Sequence, residues 1–132
     1  MVDDVLQQWI RVIDDDLGAV RACLSVKDPP VLPAAYHCQQ AAEKIVKFLI
    51  AVRGDHPPKI HDIAALTKLL GEHPLADAVR SFSRFTVYGA AYRYPGAGFL
   101  ESEADEPTAE DVASWLAEIE AVRAEIDRFL AP

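Results

Sequence analysis

Three groups of residues have side chains whose types and spacing can do chemistry. The sharpest is Tyr92-Arg93-Tyr94-Pro95, in a tyrosine-rich run that starts at Val87. Arginine keeps its charge and offers five donors in a fixed fork, which suits a phosphate. A tyrosine beside it can stack on a base or donate its hydroxyl. The competing reading is a segment packed back on the fold, with Arg93 paired to an acid. The second group is His61, in Lys59-Ile-His-Asp62. Imidazole ionises near neutrality and can act as general acid or base. A histidine at a helix start can equally bond only nearby backbone. The third group is Gln40, Lys44 and Lys47, which share one side of a predicted helix with His37 and can form the wall of an anion pocket. Lysines at such positions are otherwise solvated, and the same two readings hold for Arg80 and Arg84, one turn apart. No Gly-rich phosphate loop, Walker-type motif or Ser-His-Asp order is present. Two cysteines and four scattered histidines show no zinc spacing. Neither a metal nor a cofactor is therefore expected.

The element that must position these groups is Tyr36–Gly54. Cys38, Ala42, Ile45, Leu49 and Val52 recur every three or four residues, and Ala34, Ala41 and Phe48 widen that stripe. The helix ends near Arg53, and Gly54 follows where a left-handed cap is easiest. Glu43 and Lys47 have the spacing of a helix-surface ion pair. Before it, Leu6, Trp9, Ile13, Leu17, Val20 and Leu24 predict a helix over 3–25, and Asp14-Asp15-Asp16 reads as a solvated face. Lys27–Pro33 holds three prolines in five residues and is a connector, with Pro33 in the first turn of the next helix. Asp62 is an expected N-cap for a helix over 62–70, with Ile63, Leu66, Leu69 and Leu70 inward and Gly71 at its end. A fourth helix is expected over 75–88, with Val79, Phe82 and Phe85 or Thr86 inward. Thr108 with Asp111 resembles a capping box. It opens a fifth helix to about Leu130, with Val112, Leu116, Ile119, Val122, Ile126 and Phe129 inward and Trp115 beside them. All five periodic segments are helical and the links are short, so the expected fold is all-α, an up-down bundle forming one domain over 1–132.

Composition sets bounds on function. The 132 residues carry a net charge of −8, which argues against bulk nucleic-acid binding. The charge is uneven: residues 1–43 are net −4, residues 44–93 net +4 and residues 94–132 net −8. A basic middle can be a local anion site, or basic helices can simply pack beside acidic ones. No run of about 18 apolar residues exists to span a membrane. The acidic N-terminus lacks the features of a secretory signal, so a cytoplasmic location is expected. Cys23 and Cys38 are then expected to be reduced core thiols rather than a redox pair.

The run Gln39-Gln40-Ala41-Ala42-Glu43-Lys44, with Gly54 after it and His61-Asp62 before the next helix, resembles the HEPN domain family (higher eukaryotes and prokaryotes nucleotide-binding domain). The resemblance covers most of the chain, from the first helix to Tyr92–Pro95, and implies a helical bundle. Many HEPN proteins are metal-independent ribonucleases. Their signature is Arg, four to six residues, then His, with two copies meeting across a homodimer. In that chemistry the His moves a proton from the 2′-hydroxyl and the Arg stabilises the phosphate charge. No arginine here has a histidine at that spacing. Arg53 and His61 have seven residues between them, in a proline-containing linker, and no histidine follows Arg93. Other HEPN proteins partner minimal nucleotidyltransferases in toxin–antitoxin-like pairs. Some of those partners attach AMP to a tyrosine, which here would be Tyr88, Tyr92 or Tyr94.

The resulting expectation is a HEPN protein without the nuclease motif: a homodimeric nucleotide- or RNA-binding module that partners a minimal nucleotidyltransferase. Its ligand-binding residues would be Gln40, Lys44, Lys47, His61, Tyr92, Arg93 and Tyr94. One alternative is a divergent metal-independent ribonuclease using Arg93 and His61. The other is a structural dimerisation scaffold.

Overall fold

One helix is buried on nearly every side, and that decides the architecture. The computed structural model describes residues 4–91 and 106–130. In it α1 spans Asp4–Leu24 and α2 spans Val31–Val52. From Ala41 to Ile50 every residue of α2 except Lys44 is buried. A helix covered all round must be central. Around it pack α1, α3 (Ile63–Leu70), a 3₁₀ turn (Ser81–Phe85), α5 (Tyr88–Ala91) and α6 (Ala109–Ile126). A short α4 (Ala76–Arg80) joins α3 to the 3₁₀ turn, and a second 3₁₀ turn (Asp127–Phe129) follows α6. Among the described residues there is no strand, so the structure is an all-α helical bundle.

The core is the expected stripe and its partners. Cys38, Ala42, Ile45, Phe48 and Leu49 of α2 meet Ile13, Leu17 and Val20 of α1 and Val112, Ile119 and Ile126 of α6, all buried. Alanines at 34, 35, 41 and 42 of α2 are fully buried with them. The caps follow the sequence. Gly54 takes φ +97° just after α2, and Gly71 takes φ +66° at the end of α3, conformations costly for any residue with a Cβ. Asp62 Oδ1 accepts from the Ala64 amide at 3.0 Å, and Thr108 and Asp111 form a reciprocal capping box. Burial pushes the Cys38 thiol up to about 12, with Cys23 nearby adding to the shift, and both thiols are free.

Four expectations need correction. The fourth helix is not continuous: α4 gives way to the 3₁₀ turn, and α5 starts at Tyr88. Val79, Phe82 and Phe85 recur strictly every third residue. That period keeps them on one line only in a 3₁₀ helix, whereas an α-helix would rotate them apart. Leu69 is 52% exposed rather than inward, because Ile63, Leu66 and Leu70 already fill the face of α3 and Leu69 sits a third of a turn away. The acidic run on α1 is not uniformly solvated. Asp16 is buried, and Asp14 binds Arg123 of α6 at 2.6 and 3.0 Å. Asp16 falls at the core spacing Ile13–Asp16–Val20, which put a carboxylate on the apolar stripe. Finally, the Glu43–Lys47 pair is buried, not a surface pair.

The basic middle is largely matched by acids. Arg84 reaches Glu118 of α6, Arg80 pairs with Asp77, and Arg53 binds Asp55 and the Leu69 and Leu70 carbonyls at the end of α3. No helix among the described residues is long and apolar enough to cross a membrane.

His73 gives the fold a pH dependence. Its Nδ1 accepts from the Leu75 amide at 3.0 Å and its ring packs on Phe129. Burial, then the charges of Arg128 and Arg53, lower its pKa. The unfolded chain, with an ordinary histidine near ~6.5, therefore takes up the proton first as pH falls. The stability from this imidazole is full above that pH and is lost as pH falls through the lowered folded value. His73→Asn keeps an acceptor for the Leu75 amide and removes the titration. Thermal melts from pH 7.5 to 5 should show a shallower acid decline for the variant; equal slopes would refute this.

Candidate functional site

The period of α2 places Gln39, Glu43 and Lys47 in one line, four residues apart, with Gln40 and Lys44 on the next line. Glu43 is the hub of the first. Its Oε1 accepts Gln39 Nε2 at 2.8 Å and its Oε2 accepts Lys47 Nζ at 3.0 Å. His61 Nδ1 lies 3.1 and 3.2 Å from the two oxygens, reaching back from the loop before α3. Gln40 Nε2 donates to Gln39 Oε1 at 2.7 Å. Exposure divides the group sharply. The Glu43 side chain is 4% exposed and the Lys47 side chain 10%, whereas the His61 ring is 77% exposed. The network holds one accessible imidazole on a buried ion pair.

Gly89 closes this network from the α5 side. A Cβ there would lie 3.1 Å from Gln39 Oε1 and 3.2 Å from its Cδ, so the amide that donates to Glu43 is lodged against a residue without a side chain. The Tyr92–Pro95 segment comes next in the sequence after Ala91. Tyr92, Arg93 and Tyr94 lie outside the described residues.

A second cluster lies on the α1 flank of the same helix. Asp16 accepts His37 Nδ1 at 2.9 Å on one oxygen and Lys44 Nζ at 2.6 Å on the other. It ties α1 to α2. Both lysines of the sequence-predicted site are thus bound by buried carboxylates before any ligand arrives. Gln40, Lys47 and His61 converge through Gln39 and Glu43, while Lys44 belongs to the Asp16 cluster. Arg53 does not join His61, because its guanidinium is bound to Asp55 and the end of α3. Tyr88 is half-buried, with its ring 5.3 Å from Trp115.

Sequence reasoning missed the two acids that organise the site. The signal for Asp16 was its place on the core stripe. The signal for Glu43 was its position between Gln39 and Lys47 on one helical line. Among the described residues, no three His, Cys, Asp or Glu side chains come together as a group that could hold a metal. Every buried side-chain nitrogen or oxygen among them has a hydrogen-bond partner. The mostly exposed His61 ring can take part in hydrogen bonding or proton transfer.

Comparison with known proteins gives one match. A family model described as HEPN domain matches residues 6–129, nearly the whole chain. No curated protein and no solved structure matches.

Removing one member of the buried pair should be costly. Glu43→Ala leaves the Lys47 ammonium and the Gln39 amide without their acceptor, and the expected loss of stability is about 3–5 kcal/mol. The double variant Glu43→Leu/Lys47→Met removes both charges and should recover more than half of that in urea denaturation. A double variant no more stable than Glu43→Ala would show that the ion pair is not what the surrounding core depends on.

Proposed function

The chain belongs to the HEPN domain family, and on that basis we propose that it is a nucleotide- or RNA-binding module that partners a minimal nucleotidyltransferase in a toxin–antitoxin-like pair. The observation that carries this reading is the exposed His61 imidazole held by the buried Glu43–Lys47 pair. Replacing a buried ion pair by apolar residues of similar volume is often neutral or stabilising, and the presence of the charged pair under an exposed imidazole therefore supports a role outside folding. The absence of any Arg–His pair at nuclease spacing supports a binding role over cleavage. Gln40, Lys44, Lys47 and His61, together with Tyr92, Arg93 and Tyr94, remain the proposed ligand-binding residues. His61 is the one with most of its ring open to a ligand among those described. Tyr88, Tyr92 and Tyr94 are the proposed AMP acceptors; Tyr88 is half-buried against Trp115.

A pull-down of the tagged chain from its native cells, followed by intact-mass analysis, tests the reading. The expected result is a co-purified small nucleotidyltransferase, or about 329 Da added to a tyrosine by one AMP. Recovery of the bare chain, with no affinity for AMP or RNA in titration, would refute it. The divergent ribonuclease is the second reading, and the oriented His61 favours it. RNA cleavage in metal-free buffer that is abolished by His61→Ala would establish it in place of the binding module.

Homodimerisation is part of the proposal. Val5 is 55% and Val12 37% exposed on α1, and with Gln8 and Trp9 they line an open apolar groove of about 290 Å³. Apolar residues at 5, 9 and 12 form one helical face, and this is the face proposed to meet a second copy of the chain. Light scattering should give twice the 14.5 kDa chain mass, and Val5→Glu/Val12→Glu should give a folded monomer. A monomeric wild type would overturn this.

A further inference from the structure

Gly89 is the one glycine of α5, and its backbone does not demand it. The glycines with left-handed φ are Gly54 and Gly71, not Gly89, and alanine is otherwise the better helix former. What a side chain there would meet is Gln39. A Cβ would stand 3.1 Å from its Oε1, 3.2 Å from its Cδ and 3.6 Å from its Nε2. That amide has little room to yield. The residue is 1% exposed, its Nε2 donates to Glu43 Oε1 at 2.8 Å, and its Oε1 accepts from Gln40 Nε2 at 2.7 Å. Glu43 Oε1 also faces His61 Nδ1, at 3.1 Å. Gln39 and His61 therefore meet on a single oxygen, and moving one contact on it alters the other.

A second contact ties the same turn to the other side of His61. Thr86 precedes α5, and its carbonyl accepts the Gly89 amide at 3.2 Å. Its hydroxyl oxygen accepts the Ile63 amide at 3.2 Å, at the first residue of α3 and two residues beyond His61. One turn of chain, Thr86–Gly89, thus touches both supports of the imidazole. These are the loop that carries the ring and, through Gln39, the carboxylate that faces it. We infer that Gln39 is a positioning residue, which transmits the place of the Thr86–Gly89 turn to Glu43 and so sets where the exposed His61 ring stands. On the binding reading, the proposed ligand-binding residues of α2 and His61 are then not independent of Tyr92, Arg93 and Tyr94, which follow Ala91 in the sequence. The placing of the ring itself needs no ligand.

The chain has four histidines, so the imidazole region of a proton–carbon NMR spectrum of the full chain reports each ring separately. Single histidine-to-glutamine variants assign the signals. Gly89→Ala presses a methyl group against the Gln39 amide. The His61 signal should shift, while that of His37, bound to Asp16 on the α1 flank of α2, should stay in place. In a Gln39→Ala background the added methyl has no amide to displace, so Gly89→Ala should then leave the His61 signal unmoved. A folded Gly89→Ala with an unshifted His61 signal overturns the inference. An equal shift with the Gln39 amide removed shows that the turn acts by another route, such as the Thr86–Ile63 bond, and overturns the role of Gln39. Movement of all four histidine signals shows general loosening and overturns it as well. If Gly89→Ala does not fold, Gln39→Met keeps the side-chain volume and removes the donor to Glu43. It must by itself shift His61 and not His37, and an unchanged His61 signal overturns the inference. AMP titration separates this from the reading beneath it: no affinity in the wild-type chain counts against the binding module and leaves the placing of His61 standing.

Discussion

The carboxylate of Glu43 is where the packing of the central helix and the placing of an exposed imidazole meet in this chain. It sits near the middle of the most buried helix and is 3% exposed as a residue. A charge there is tolerable only when its lone pairs are taken, and Gln39, Lys47 and His61 take them. Each partner comes from a different constraint. Lys47 is fixed by helical spacing, Gln39 is pressed into place by the approach of Gly89, and His61 is delivered by the loop that Asp62 ends as it caps α3. The position of α5 and the start of α3 are therefore coupled through the hub. A change in one is felt by the other because the acceptor is shared.

The same logic operates on the other flank of α2, with a different outcome. Asp16 also binds one lysine and one histidine, but it comes from α1, so its bonds fasten two helices together. The His37 side chain is 31% exposed, against 77% for His61. Two clusters of like composition thus divide the work: one braces the bundle, and the other presents a ring to solvent. Residue type alone cannot separate them. The difference is whether the histidine lies within the packed helices or on the loop at their edge.

This division also explains what could be read from the sequence. The stripes of α1, α2 and α6, the Asp62 cap and the Thr108–Asp111 box depend on local spacing, and they appear at the expected places. The 3₁₀ turn could have been read from Val79, Phe82 and Phe85, since the three-residue step was present. The site was only half legible. Its polar residues on α2 share a face by helical geometry, but their partners Asp16 and His61 are 28 and 18 residues away from Lys44 and Glu43. Spacing rules do not reach across a turn of chain. Glu43 was read as a surface residue because helical pairing describes geometry and is silent on burial.

The charge pattern, finally, constrains how any ligand can be recognised. A positive middle in an acidic chain suggests electrostatic capture, but Lys44, Lys47, Arg53, Arg80 and Arg84 each face a carboxylate within the chain. The overall charge of −8 repels a polyanion at long range. Counterion release, which dominates ordinary nucleic-acid affinity, has few free cations here to act through among the described residues. Selectivity must then come from short-range groups: hydrogen bonds of fixed direction and close fit. A ring held by a buried carboxylate is such a group, since its direction is set before the ligand arrives and costs no ordering when it binds. On the proposed binding reading, the electrostatics that weaken non-specific binding make that single oriented imidazole the more informative group to probe.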